Sequence, residues 1–417
     1  MASGATTEYR GWLFDVYADP RDGAVLWFIS EDGQRRRFTQ HFPVEFYLAG
    51  DRAQLRAAWR WLQRNAPDAR LARRTRRELY EGDIDVLAVQ VPNPAQQPRL
   101  FRRLFRAHPE LTYYDADIAL PIRYHAAYAL FPLAYSRVDV DAKGCVLAIQ
   151  SLDSHWEIEP RMPPLRELTL VPSESPGTRL PALVRAGFGG QRMDIPTANS
   201  QKLLQRIDRM ISDYDPDVIF TRFGDRWLFP HLLSIAEEHG MPFNPNRDQR
   251  KQPISVKENT FTSYGRIMHR DRQTLLSGRA HIDSQNSMAH EDIGLDGVYE
   301  FARLTGLPLQ NAARRSAGGG FTAMQVRAAL QQGILVPINK KRSERYKTAE
   351  ELIVSDRGGV VYQPIVGLHR DVAEIDFFSM YPSIMDRWNI SPETVGRAGG
   401  ATEFSPAIGR PIAQDAR

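Results

Sequence analysis

Cysteine is almost missing from this chain: Cys145 is the only one in 417 residues. A single thiol cannot close an internal disulfide or build a thiolate metal cluster, so any metal must be held mainly by oxygen or imidazole. Also lacking is an apolar run long enough to cross a bilayer, and the opening MASGATTEYRGW has neither the basic head nor the apolar stretch of a secretory signal. Together these absences lead us to expect a cytoplasmic protein without a membrane partner, in a reducing compartment. Internal repeats and long low-complexity tracts are absent as well, which excludes solenoid and fibrous arrangements.

What is present suits several cores. A chain of 417 residues, 42% of them apolar, predicts two or three domains. The net charge is +4 and the basic residues are mostly arginine, whose fork pairs with phosphate in a way lysine cannot match. This permits nucleic-acid binding; an arginine preference inherited from a GC-rich coding sequence or selected by heat would account for it equally well.

Residues 11–48 read as a meander, in which GWLFDVYAD, AVLWFIS, RRRFTQ and VEFYLAG are β-prone runs broken by PRDG and EDGQ turns. RAQLRAAWRWLQRNA then sets Leu55, Trp59 and Leu62 at helical spacing, a strand follows, and PRLFRRLFRAHP forms a second helix. That order predicts an α+β amino-terminal domain over 1–134, with LTYYDADIALPIRYHAAYALFPLA as an aromatic connector at its end. Strands LRELTLVPS and PDVIFTRF alternate with helices ANSQKLLQRIDRMISDY and RWLFPHLLSIAEEHG, an α/β pattern that predicts a second domain over 135–308. From 309 to 370 the chain reads as a glycine-punctuated, basic connector, and its NKKRSERYK run could track phosphates, although a solvated loop is the commoner meaning.

The last segment, 371–417, contains VAEIDFFSMYPSIM. Val372, Glu374 and Asp376 alternate with Ala373, Ile375 and Phe377, which predicts a strand with Asp376 at its end. Pro382 fits the first position of a helix and pushes Tyr381 toward an extended conformation; PSIMDRW then forms a short helix that NISP ends. One carboxylate, a backbone carbonyl and free N–H groups are what a Mg²⁺-bound triphosphate requires, the cation taking oxygens and the N–H groups taking phosphate. A single carboxylate is not enough for two-metal phosphoryl transfer, and the plain alternative is that Asp376 ends a strand and caps a turn.

DFFSMYPSI resembles the D-x-x-S-L-Y-P-S-I palm motif of family B DNA polymerases, with methionine in place of leucine, and the flanks GLHRDVAEI and WNISPETV agree. The stretches LTYYDADIALPIRY, SGRAHIDSQ and YEFARLTGLPLQNAARRSAGG resemble archaeal-type members of that family elsewhere along the chain. The resemblance implies an α+β amino-terminal domain, an α/β exonuclease-like domain of ribonuclease H-like type, and the start of a polymerase palm. It implies that Asp376 ligates two Mg²⁺ ions, with the carbonyl of Phe377 on one. Phe378, Ser379, Met380 and Tyr381 would form the nucleotide site, the backbone of Ser379, Met380 and Tyr381 cradling the triphosphate and Tyr381 excluding a 2′-hydroxyl. Substrates would be a DNA primer–template and deoxynucleoside triphosphates, in replication or repair.

Proofreading 3′–5′ exonucleases of this family need about four converging carboxylates. Here Val171 and Ser173 stand where the first acid pair is expected, with Glu174 out of phase. Phe223 and Leu228 stand at the second motif, with Asp225 three residues early, and only HEDIG, His290 to Gly294, falls at the third. The expectation is an inactive exonuclease domain; a rearranged set drawn from Asp153, Glu157, Asp225, Asp283 and Asp292 is the rival. Fingers, the remaining palm carboxylates and the thumb do not occur in the 417 residues. The resemblance therefore implies a fragment, a truncation or one subunit of a split polymerase, inactive alone and completed by a second subunit. A non-catalytic DNA-binding scaffold is the other alternative.

Overall fold

The structure, a computed structural model, describes residues 6–177, 179–263, 266–340, 346–355, 362–391, 394–396, 402–404 and 411–414. The chain divides into two compact units, one comprising 1–76 and 84–339, the other 77–83 and 340–417.

The first unit is built on three sheets. Strands β1 (Thr7–Asp19), β2 (Gly23–Ser30) and β3 (Arg35–Gln40) form the expected meander. Strand β4 (Val44–Ala49) leaves it, and helix α1 (Arg52–Asn65) leads to β5 (Arg70–Glu78), β6 (Gly82–Val91), helix α2 (Gln97–Ala107) and β7 (Thr112–Tyr114). The second sheet runs β5-β6-β4-β7. Asp51 starts α1 with a capping box: its carboxylate accepts the N–H groups of Ala53 and Gln54, both at 2.8 Å, while the Gln54 side chain accepts from the Asp51 N–H.

Helix α3 (Leu120–Tyr128) then returns the chain to strands β8 (Tyr135–Val140) and β9 (Val146–Ser151), which complete the first sheet as β3-β2-β1-β8-β9. That sheet therefore continues past residue 134, where the aromatic connector was expected to hand over. The reason is the edge of β1, whose hydrogen-bonding groups pair with Tyr135–Val140 from Thr7 to Trp12.

Strand β2 is buried along its whole length, because both faces of the sheet are covered. Ala24, Leu26 and Phe28 join one core with the second sheet, α1 and α2, whereas Val25, Trp27 and Ile29 join another with residues of the third sheet. Each large side chain buried in this way contributes about 1.5–3 kcal/mol. Gly278 comes so close to Trp27 that a Cβ there would lie 2.6 Å from the indole, and its φ of +75° favours glycine as well.

The third sheet runs β12-β11-β10-β13-β18, from β10 (Glu167–Pro172), β11 (Leu183–Phe188), β12 (Gln191–Pro196), β13 (Val218–Thr221) and β18 (Ala280–Asp283). Helix α4 (Ser200–Tyr214) precedes β13, a π-helical turn (Gly224–Leu228) follows it, and α5 (Phe229–His239) continues the turn. β10, β13 and β18 are parallel. Between α5 and β18 lie the short strands β14 (Ile254–Val256), β15 (Asn259–Ser263), β16 (Arg266–Arg270) and β17 (Gln273–Leu275), with β15 and β16 paired antiparallel.

Helices α6 (Met288–Thr305), α7 (Leu309–Ala313) and α8 (Ala317–Gln331) close the unit. Helix α8 occupies sequence read as a glycine-punctuated connector. Ser316 caps it through the Gly319 N–H at 3.3 Å, and Gly320 lets its backbone meet the Phe301 ring of α6, so the glycines serve helix contact rather than a loop.

In the second unit the described elements are α9 (Ala349–Ser355), α10 (Met380–Arg387) and the paired strands β19 (Thr402–Phe404) and β20 (Pro411–Ala413). Residues 341–345 of the NKKRSERYK run lie outside the described residues.

Candidate active site

Residues Val372 to Phe377 do not form the expected strand; they are irregular and exposed. Alternation alone does not make a strand, since the backbone groups must also find a neighbour, and no described strand lies beside this segment. The helix begins at Met380 rather than Pro382, after Ser379 in a left-handed conformation with φ of 45°. Pro382 is thus third in the helix and Tyr381 is helical rather than extended. First-turn N–H groups have no intrahelical partner, so proline costs no hydrogen bond there.

Asp376 is exposed, and its Oδ1 accepts only the N–H of Phe377, at 2.8 Å, among the described contacts. Phe377, Phe378 and Tyr381 are 77, 92 and 74% exposed. Ser383 donates its hydroxyl to the Phe378 carbonyl at 3.1 Å and its N–H to the Ser379 carbonyl at 2.9 Å, which holds the turn against the helix start. A carboxylate, three exposed aromatic rings and a helix N-terminus therefore lie within six consecutive residues. Such a segment can offer oxygens to a cation and N–H groups to an anion.

The positions expected to carry exonuclease acids are arranged differently. Val171 lies in β10, and Ser173 follows the strand, with its N–H on the Leu183 carbonyl at 2.9 Å. Glu174 lies beyond the strand rather than on its opposite face; its carboxylate accepts the Ala182 N–H at 2.7 Å and closes the turn to β11. Leu228 is fully buried in the core beneath α4 and α5. The HEDIG segment is in α6, where His290 lies 4.8 Å from the Phe220 ring and Gly294 breaks the helical dihedrals.

Asp225 is 0% exposed and surrounded by donors. Its Oδ1 accepts the Thr274 N–H at 2.7 Å, and its Oδ2 accepts Asn286 Nδ2 at 2.9 Å and Arg314 Nη2 at 2.8 Å. His281 Nδ1 is 3.3 Å from Oδ1 and 2.8 Å from the Thr274 carbonyl, while Nε2 meets the Thr221 hydroxyl at 2.9 Å. Burial by itself would raise the Asp225 pKa, but His281, Arg314 and the hydrogen bonds outweigh it and hold the group well below the usual carboxylate range. Asp283 accepts the N–H groups of Phe223, Asp225 and Gln285 at 2.9, 2.8 and 3.1 Å; burial raises its pKa.

Asp153 is bound by Arg303 at 3.3 Å and by the Tyr135 N–H at 3.0 Å, and Glu157 and Asp292 are exposed. Among the described residues no three His, Cys, Asp or Glu side chains gather as a metal site. The rearranged carboxylate set is therefore not assembled among the described residues. Sequence reading missed Arg314 and His281, which carry no local signal: each is one basic residue in its own segment, and only folding brings both to Asp225.

Comparison with known proteins adds the family. The model of DNA polymerase family B matches residues 314–407. The DNA polymerase of Archaeoglobus fulgidus is 23% identical over 454 residues, covering 96% of this chain and 56% of its own length. DNA polymerase 2 of Aeropyrum pernix is 24% identical, covering 93% of this chain and 56% of its own. The chain is a homologue of archaeal family B DNA polymerases. It spans about half the length of these two curated relatives. The solved family B polymerase from Pyrobaculum calidifontis shares its mixed α/β fold, with a TM-score of 0.70 at 21% identity, covering 97% of this chain and 61% of that one.

Family B polymerases use Mg²⁺. Asp376 and the Phe377 carbonyl offer two oxygens in adjacent residues, and no further acids join them in a cluster among the described residues. The donor set within the described residues is incomplete for a two-ion site. No helix among the described residues is long and apolar enough to cross a membrane.

Proposed function

We propose that this chain is the amino-terminal portion of a family B DNA polymerase. In this reading the chain carries, in order, an amino-terminal domain, an exonuclease-like domain, a connector and the first part of the palm, with strands β8 and β9 belonging to the first sheet beyond the expected boundary at 134. The observation that carries it is that DFFSMYPSI lies inside the 314–407 family match. Asp376 would be the catalytic carboxylate and, with the Phe377 carbonyl, a metal ligand. Phe378, Ser379, Met380 and Tyr381 would receive the deoxynucleoside triphosphate, with Tyr381 as the sugar gate. Residues outside these 417, in the same polypeptide or a second subunit, would supply the remaining carboxylates and the grip on the primer–template.

Primer extension tests this. The 417-residue chain alone incorporates nothing, and the chain completed by the missing palm, fingers and thumb extends a primer. Asp376→Ala then abolishes extension with DNA binding retained, and Tyr381→Ala admits ribonucleotides. Extension that survives Asp376→Ala would overturn the assignment.

The exonuclease-like domain is proposed to be inert. Leu228 stands at an expected acid position, and Asp225 is committed to Arg314 and His281. No 3′ degradation of single-stranded DNA is expected with Mg²⁺ or Mn²⁺. Degradation removed by Asp225→Asn would favour an active nuclease instead.

A further inference from the structure

Most buried or half-buried arginines of the first unit have acidic partners, as in Arg35–Asp217, Arg247–Asp215, Arg303–Asp153 and Arg314–Asp225. Helix α1 is different. Arg52, Arg56 and Arg60 are exposed, and their guanidinium groups make no ion pair or hydrogen bond among the described residues. Spaced by four residues, they form a ladder of about 12 Å along the helix, beside the apolar stripe that holds α1 on the core.

This ladder borders a groove of about 720 Å³ between α1 and the strands β5 and β6. Trp59, partly buried, stands in the groove next to the arginines. Arg73 on β5 faces them from the other wall. The acid in the groove, Asp85, is already engaged, accepting Arg73 Nη2 and the Thr75 hydroxyl, both at 3.1 Å. The groove thus combines three uncompensated positive charges in register with an indole at their side.

We infer that the α1 groove is a binding site for single-stranded nucleic acid, separate from the Asp376 segment. The uncompensated arginines take the phosphates, whose neutralisation releases counterions, and Trp59 takes the face of an unpaired base. A duplex hides its base faces in the stack, and an acidic peptide has no use for the indole, so the pairing of ladder and aromatic favours a single strand. The inference does not depend on polymerase activity.

The test is fluorescence anisotropy with a labelled oligodeoxythymidylate and the full chain. Arg52→Gln, Arg56→Gln and Arg60→Gln combined should weaken binding at least about tenfold near 0.1 M salt and flatten the slope of log K against log salt by about 2, from three phosphate contacts at ~0.7 each. Glutamine is a good helix former, so the melting temperature should hold; should the triple variant not fold, Arg56→Gln alone is expected to lower the slope by about 0.7. Unchanged affinity and slope would overturn the inference. So would displacement of the probe by duplex DNA or polyglutamate as effective as by unlabelled oligodeoxythymidylate. Asp376→Ala is expected to leave this binding untouched, which separates failure here from failure of the polymerase reading.

Discussion

Asp225 and Asp376 are two acids of one chain in opposite situations. Asp225 is buried, and hydrogen-bond donors from four other residues crowd around it. Asp376 is exposed and accepts only the next residue's N–H among the described contacts. A carboxylate whose lone pairs are all taken holds a fold together; one with free lone pairs can serve a ligand. An acidic residue near a motif position is therefore no evidence of a metal site until its other partners are counted.

The comparison breaks most visibly at Arg314. Arg314→Met leaves Asp225 buried without its guanidinium partner and should cost about 3–5 kcal/mol in urea unfolding. Asp225→Leu combined with Arg314→Met should recover much of that loss, because replacing a buried ion pair by apolar groups is often nearly neutral. A double variant no more stable than the single would show that the pair is not the unit that matters.

Placing an acid at Leu228, where the family resemblance leads one to expect it, should cost nearly as much. Leu228→Asp puts an unpaired carboxyl into a dry core and should destabilise by about 3 kcal/mol without creating nuclease activity, measured by unfolding and by degradation of end-labelled DNA.

Asp115 gives a smaller effect with a defined pH window. It is buried, accepts the Val336 N–H at 2.9 Å, and desolvation pushes its pKa up to about 6. The folded state thus holds the proton more tightly than the unfolded chain does. This contribution is fully present below the unfolded pKa near 4 and is lost as pH rises through about 6, for a total on the order of 2–3 kcal/mol. Asp115→Asn keeps an acceptor for Val336, so the fall in melting temperature between about pH 4 and 6 should be shallower than in the parent. Parallel curves would refute the assignment.

The smallest effect on stability belongs to Asp376→Ala, expected within about 0.5 kcal/mol by thermal unfolding because the side chain is exposed and supports no packing. A loss of 2 kcal/mol or more would place Asp376 with Asp225, as a residue that holds structure.

Much was legible locally. The opening meander, helices α1, α2, α4 and α5, and strands β10 and β13 follow from periodicity and turn residues, because each signal lies within one segment. The nine residues from Asp376 to Ile384 pointed to the family through their own order, without any fold. Where local signals competed with packing, they failed: the alternation of 372–377 found no neighbouring strand, and the glycines of 318–320 became a helix against Phe301.

The sequence by itself determined the composition of each core, the starts of the capped helices and the motif around Asp376, since these depend on residues within a few positions of one another. Only the tertiary structure decided that β2 is covered on both faces and that Thr274, His281, Asn286 and Arg314 converge on Asp225. Hydrogen bonds and ion pairs act over a few ångströms in space, and residues 49 to 89 positions away in the chain come within that range of Asp225 only once the sheet and the helices around it have formed.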